Sequence, residues 1–238
     1  MSADRRNIQL QNRVLMKRYW KLRMRKASGS VARFIMRRVF PFKERKRERI
    51  LASTLAEYAK QTAKSRRHGF ESNSVLLNLG LFFLIADRDI QAVKLDALTH
   101  PDPWKRSLYA RVILLTIHEL DMDKVAGNKL RQSLADAGIP EDAKRKITEA
   151  LRMVRSAQQK AQKQFAFLRN ATIAHRDADA LLQYRAIAEI DSMAVLGIAS
   201  EFYDGTRLFL SVFPDTMVQV GSFPGLLNQV RARESRKN

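Results

Sequence analysis

Apolar residues in this chain recur at steps of three and four, the spacing that lines one face of a helix. Nothing alternates with period two for long enough to make a strand. Ile8, Leu15 and Leu22, with Tyr19 between them, predict a first helix over 5–27, broken at Ser28-Gly29-Ser30. A short basic segment over 31–40 ends at Pro41, and 43–67 reads as a third helix through Ile50, Leu51, Leu55 and Tyr58. After His68-Gly69, one of Ser72, Asn73 or Ser74 is expected to cap a helix that carries the apolar run 75–86 to about Leu98, where His100-Pro101 stops it. Pro103 and Trp104 open the next helix; Leu108, Val112, Leu115 and Leu120 are expected to face a core, and Gly127 to terminate it. A short segment over 128–137 leads to Gly138-Ile139-Pro140. A long helix then begins at Glu141 and Asp142, whose charges suit the positive end of the helix dipole. Its apolar positions Ile147, Leu151, Val154, Ala161, Phe165 and Leu168 form a seam, interrupted at Gln158. Asp177 or Asp179 is expected to cap a last long helix over about 180–212, ended by Pro214. The expected fold is all-α: a basic helical arm over 1–69, a four-helix up-down bundle over 70–213 and a tail over 214–238.

Charge sharpens this division. The 238 residues carry a formal net charge of +20, and residues 1–67 hold 21 Lys/Arg against only Asp4, Glu44, Glu48 and Glu57. The rest of the chain is close to balanced, with 23 Lys/Arg and 20 Asp/Glu. An arm this basic attracts polyanions. Nucleic acid is the favoured partner, through Arg13, Lys17, Arg18, Lys21, Arg25, Arg37, Arg38, Lys43, Arg45, Lys46 and Arg47. An acidic protein or a membrane surface is the alternative. Tyr19 and Trp20 can stack on bases, although their spacing suits helix packing better. The composition of the arm also suits an organelle transit peptide, but the arm is expected to belong to the working protein. The absence of Cys excludes disulfides and thiolate metal sites. With no secretory signal and no apolar run long enough to span a bilayer, the expected location is the cytoplasm.

The residues with the most chemistry form one short stretch at the end of the long helix, Arg169-Asn170-Ala171-Thr172-Ile173-Ala174-His175-Arg176-Asp177. An arginine offers phosphate a planar fork of donors, and a histidine moves protons near neutral pH. On one unbroken helix the six-residue step from Arg169 to His175 is about 600° of rotation, which leaves the two side chains about 120° apart. They converge only if the helix breaks between them, or if two copies of the protein face each other. Asn170 and Thr172 are poor helix formers and the aspartates beyond His175 are natural caps, so a break is expected.

Arg169-Asn170 followed by His175, late in an all-helical chain, resembles the R-x4–6-H motif of HEPN domains. The stretch FLRNATIAHRD is similar to the abortive-infection group of that superfamily, and YARVILLTIHELDMD before a long polar helix is arranged as in that group. The resemblance covers about residues 75–212. It implies a metal-independent ribonuclease without a cofactor, dimerised so that two motifs share one cleft, and acting in a toxin or antiviral defence system. By that resemblance Arg169 binds the scissile phosphate, His175 is the acid or base, and Asn170 orients the phosphate or His175. An antitoxin or another component of a defence complex is then a further partner. Members paired with nucleotidyltransferase antitoxins carry Tyr two residues after the His; Asp177 stands there, so regulation by AMP transfer to such a tyrosine does not carry over.

Other candidates read more simply as structure. His118 beside Glu119 suits a core-edge histidine, and His68 and His100 lie at helix ends. Asp87 and Asp89, like Asp121 and Asp123, are two residues apart and diverge on a helix. No HExxH or clustered-carboxylate motif supports a metal hydrolase. The second function class is a non-catalytic nucleic-acid-binding or scaffold subunit, in which Arg169 and His175 only hold phosphate.

Overall fold

The computed structural model describes residues 34–35, 37–39, 45–169 and 178–235, with the backbone alone at Ala126, Gln164 and Arg169. Among them every regular element is a helix. The chain divides into two compact units, Met1–Glu44 and Arg45–Asn238. In the first, residues 34–35 and 37–39 are helical and exposed, and the Arg38 guanidinium lies 5.6 Å over the Phe34 ring, one turn away. In the second, α1 spans 45–67, α2 Glu71–Thr99, α3 Pro103–His118, α4 Met122–Asp136, α5 Glu141–Arg169, α6 Ala180–Ala188, α7 Ser192–Gly221 and α8 Phe223–Ser235.

The core forms where the apolar stripes of four long helices meet. Leu76, Leu79, Phe83 and Ile90 of α2 are fully buried with Ile113, Leu114 and Ile117 of α3, Ile147 and Val154 of α5, and Phe202 and Phe209 of α7. Phe209 packs edge-on against Phe83 at 5.1 Å, and Phe213 stacks on Tyr58 of α1 at 5.2 Å. Helix α1 is thus part of this core, with Leu51 and Thr62 buried and the Tyr58 phenol pushed up to about 12 by burial. Helix α5 packs chiefly along α7, while α2 packs on α3, α4 and α7. Most of the expected seam of α5 is in place: Ile147, Leu151, Val154, Ala161 and Leu168 are buried, with Ala157 added, while Phe165 is half-buried against it. At Gln158 the side-chain Nε2 donates to the carbonyls of His118 and Leu120, which explains a polar residue there. At the start of α5, hydrogen bonds from Lys146 and Arg145 hold the Asp142 carboxyl below the usual carboxylate range.

Four expectations about boundaries are corrected. None of Ser72, Asn73 or Ser74 caps α2; its N-cap is Phe70, because Ser72 is buried and Asn73 accepts a hydrogen bond from Gln229 Nε2 at 3.1 Å. The helix expected to run to Gly127 ends at His118, because Asp121 accepts from Lys124 N at 2.9 Å and starts α4. Gly127 lies inside α4 as a kink (φ −33°, ψ −137°) rather than at a terminus. The helix expected over 180–212 splits, because Asp191 accepts from Met193 N at 2.9 Å and caps α7. Pro214 does not end α7, which continues to Gly221 because Phe213, Thr216 and Val220 are held in the core on both sides of it. Much of the expected tail is therefore helical. On α3, Leu120 beyond its end is buried as expected, but Leu108 and Val112 face outward and Ala110, Ile113, Leu114 and Ile117 take the inner face.

The contact of α5 with α7 depends on Gly205. A Cβ there would meet Val154 N at 3.0 Å and Ala150 O at 3.1 Å, both backbone atoms that cannot swing aside. Gly197 on the same helix has nothing within 4 Å. Gly205→Ala is expected to lower the urea midpoint of unfolding at a cost of about 1–3 kcal/mol from overpacking. Gly197→Ala is expected to raise it through a stability gain of about 0.5–1 kcal/mol, the helix-propensity difference. Equal midpoints for the two variants would contradict the close approach.

Candidate active-site junction

The Arg169 stretch lies between two helices. Leu168 is buried at 6% exposure, so α5 is fixed to the core up to the residue before Arg169, the last described residue of that helix. On the other side, Ala178 and Asp179 are not helical, and Asp179 Oδ1 accepts from Leu181 N at 2.9 Å and Leu182 N at 3.1 Å to start α6. Ile187 is buried and anchors α6. Of the three candidate catalytic residues, Arg169 is thus placed by its backbone at the end of α5. Its side chain, Asn170 and His175 lie outside the described residues. So does Asp177; of the two expected caps, Asp179 does the capping.

Helix α6 leads from the junction to an uncovered apolar face. Trp104, Leu108 and Val112 of α3, one turn apart from each other, are 45%, 45% and 37% exposed, and Leu181 and Tyr184 of α6 are more open still. Tyr184 stacks on Trp104 with ring centroids 6.1 Å apart, so the two helices present one surface.

Of the expected nucleic-acid contacts, Arg37 and Arg38 of the first unit are exposed, as are Arg45, Lys46 and Arg47 in the first turn of α1. Arg47 is also engaged within its own unit: its Nη2 lies 3.6 Å from Asp87 Oδ1 and its Cζ 6.0 Å from the centre of the Tyr203 ring. Arg13, Lys17, Arg18, Lys21, Arg25 and Lys43 lie outside the described residues.

Asp87, Asp121, Asp123 and His118 have structural partners. Asp87 accepts from Gln91 Nε2 at 3.1 Å besides its pairing with Arg47. Asp121 caps α4, and Asp123 is paired with Arg155 at 2.7 Å. His118 is mostly buried at the edge of the core, its Nδ1 3.2 Å from Glu119 Oε1. His118, Asp121, Asp123 and Arg155 border a cavity of about 390 Å³ at the start of α4. Among the described residues no three His, Asp or Glu side chains stand close enough to share a metal ion. Nor is any described helix long and apolar enough to cross a membrane. A second cavity joins Arg66, Lys129 and Arg233. Sequence patterning passed over these three, since they come from distant segments and each looks like an ordinary surface cation. No family model, no curated protein and no solved structure matches this chain.

Proposed function

We propose that this protein is a metal-independent endoribonuclease of the abortive-infection HEPN type, a cytoplasmic effector of a bacterial toxin or antiviral defence system. In this reading α2, α3, α5 and α7 are the four-helix up-down bundle of a HEPN domain, and the arm brings RNA to it. The observation that carries the reading is the position of the motif, which begins on the last residue of one core-anchored helix and ends before the separately capped start of another. In this reading the helix breaks within the motif, so that residues six apart in sequence act on one phosphate.

The chemistry follows from the side chains. A neutral His175 removes the proton of the ribose 2′-OH, and the oxygen attacks the adjacent phosphorus. Arg169 offsets the charge of the phosphorane, with Asn170 as an added donor. A protonated histidine then delivers a proton to the departing 5′-oxygen. The products are a 2′,3′-cyclic phosphate and a free 5′-hydroxyl.

One histidine cannot be both deprotonated base and protonated acid in the same step, so the reading requires a second copy. The apolar face of Trp104, Leu108, Leu181 and Tyr184 supports such a homodimer, because α6 connects it directly to the junction. Light scattering is expected to give a dimer at micromolar concentration, and Leu108→Glu with Tyr184→Glu a folded monomer that has lost cleavage. A wild-type monomer that still cuts RNA would rule out the shared cleft. The experiment that tests the whole reading is incubation of the protein with labelled RNA in EDTA, beside the His175→Ala protein. RNA bound but never cut would leave the non-catalytic scaffold.

A further inference from the structure

A cavity of about 530 Å³ opens between the α1–α2 turn, α4 and α8. Three permanent cations from separate elements line it: Arg66, Lys129 and Arg233. Charges of one sign repel when gathered, and nothing in packing requires these three to meet. Arg66 Nη2 donates to Asn78 Oδ1 at 2.8 Å, which holds its guanidinium in place. Lys129 and Arg233 have no ion-pair partner among the described residues. Arg233 Nη1 comes within 3.4 Å of where a Cβ on Gly69 would sit, and Gly69 holds the left-handed conformation (φ +72°) of the turn beneath it. Two carboxylates share the lining, Glu71 and Asp136, and Asp136 is already engaged within the fold.

Two independent observations say what the cavity takes. First, α2 starts at this wall with Phe70 as its N-cap and no capping side chain, so its first-turn amides and the positive end of its dipole add to the cations. Second, Gln229 lines the cavity while only 9% exposed. Its Nε2 donates to Asn73 Oδ1 and Val220 O, both at 3.1 Å, which fixes the orientation of the amide. Its Oε1 is buried with no donor at all, an acceptor left waiting for one.

We infer that this cavity binds a small phosphate monoester that also carries hydroxyl groups, of the size of a sugar phosphate or a mononucleotide. The phosphate answers the three cations and the α2 amides, and a ligand hydroxyl supplies the donor that Gln229 Oε1 lacks. A bare anion satisfies only the first requirement and a neutral sugar only the second. The volume falls within the ordinary range for small-molecule sites, about 300–1,000 Å³. The site is distinct from the α5–α6 junction and stands whether or not that junction cleaves RNA.

Isothermal titration of the full-length protein tests this with four probes: adenosine 5′-monophosphate, ribose 5-phosphate, adenosine and inorganic phosphate. The two esters are expected to saturate one site per chain, inorganic phosphate to bind at least tenfold more weakly, and adenosine not to bind. Ribose 5-phosphate binding as tightly as the nucleotide identifies the sugar phosphate as the recognised part. Lys129 and Arg233 are exposed, so Lys129→Gln and Arg233→Gln are expected to keep the ligand-free melting temperature and each to weaken ester binding at least tenfold. An Arg37→Gln/Arg38→Gln protein, which loses charge from the first unit, is expected to bind as the wild type does. Adenosine binding as well as its monophosphate would overturn the inference. So would cavity variants that bind normally, or binding that does not saturate and disappears with Arg37 and Arg38.

Discussion

Replacing His175 by alanine is expected to abolish RNA cleavage, with a loss of at least the 10²–10⁴-fold that one general acid or base typically supplies. In a shared cleft the substitution removes base and acid together, so the loss is expected at the upper end of that range or beyond. Arg169→Ala is expected to be as damaging, because the phosphorane charge then has no fixed counter-charge. Arg169→Lys is expected to fail largely too, since a point charge cannot reproduce a bidentate fork. Arg169 and His175 belong to a polar stretch of the sequence, so circular dichroism and melting temperature are expected to stay close to wild type. Product analysis separates this chemistry from metal hydrolysis. The reading requires a 2′,3′-cyclic phosphate end, activity in EDTA, and resistance of DNA and of RNA methylated at the 2′-oxygen of the cut site. Cleavage that survives His175→Ala, needs a divalent ion or acts equally on DNA would remove Arg169 and His175 from the chemistry.

The fold class was legible because periodicity is repeated many times over. Steps of three and four along α5 name Ile147, Leu151, Val154 and Leu168 as buried, and all four are. Boundaries were harder, because a cap is one residue whose effect depends on its neighbours. Asp121 and Asp191 each start a helix inside a stretch that periodicity alone runs through. Pro214 shows the converse, a strong local breaker overruled by core packing around it. On α3 the apolar residues go round the helix, so the pattern could not say that Leu108 and Val112 would be left outside. The start of a helix after the motif was legible from the aspartates, of which Asp179 acts as the cap, while the break expected at Asn170 and Thr172 falls outside the described residues. The cavity around Arg66, Lys129 and Arg233 was not, since only tertiary packing brings those segments together.

The second large effect is expected in the salt dependence of RNA binding, and the structure fixes where the arm should be cut. Charge alone groups everything up to Arg67, but α1 belongs to the Arg45–Asn238 unit, where Leu51 and Thr62 are buried and Tyr58 stacks on Phe213. Removing 1–67 would unroof that core and confuse unfolding with lost affinity. Removing 1–44 takes away 13 Lys/Arg and only two acids, Asp4 and Glu44, and leaves the second unit whole. Each phosphate neutralised on a single strand lowers the slope of log K against log salt by about 0.7. If about half of those cations contact RNA, the intact protein loses roughly three decades of affinity between 50 and 200 mM salt, by the counterion release seen for 6–10 phosphate contacts. The 45–238 protein is expected to show a distinctly shallower slope, set by Arg45, Lys46 and the cations of its own surface. Fluorescence anisotropy with a labelled single strand at four or more salt concentrations measures both slopes. Because phosphate contacts carry no sequence information, the difference is expected to be the same for unrelated RNA sequences. Identical slopes for the two proteins would mean that the arm engages something other than RNA, and an acidic protein partner would then be the occupant to seek.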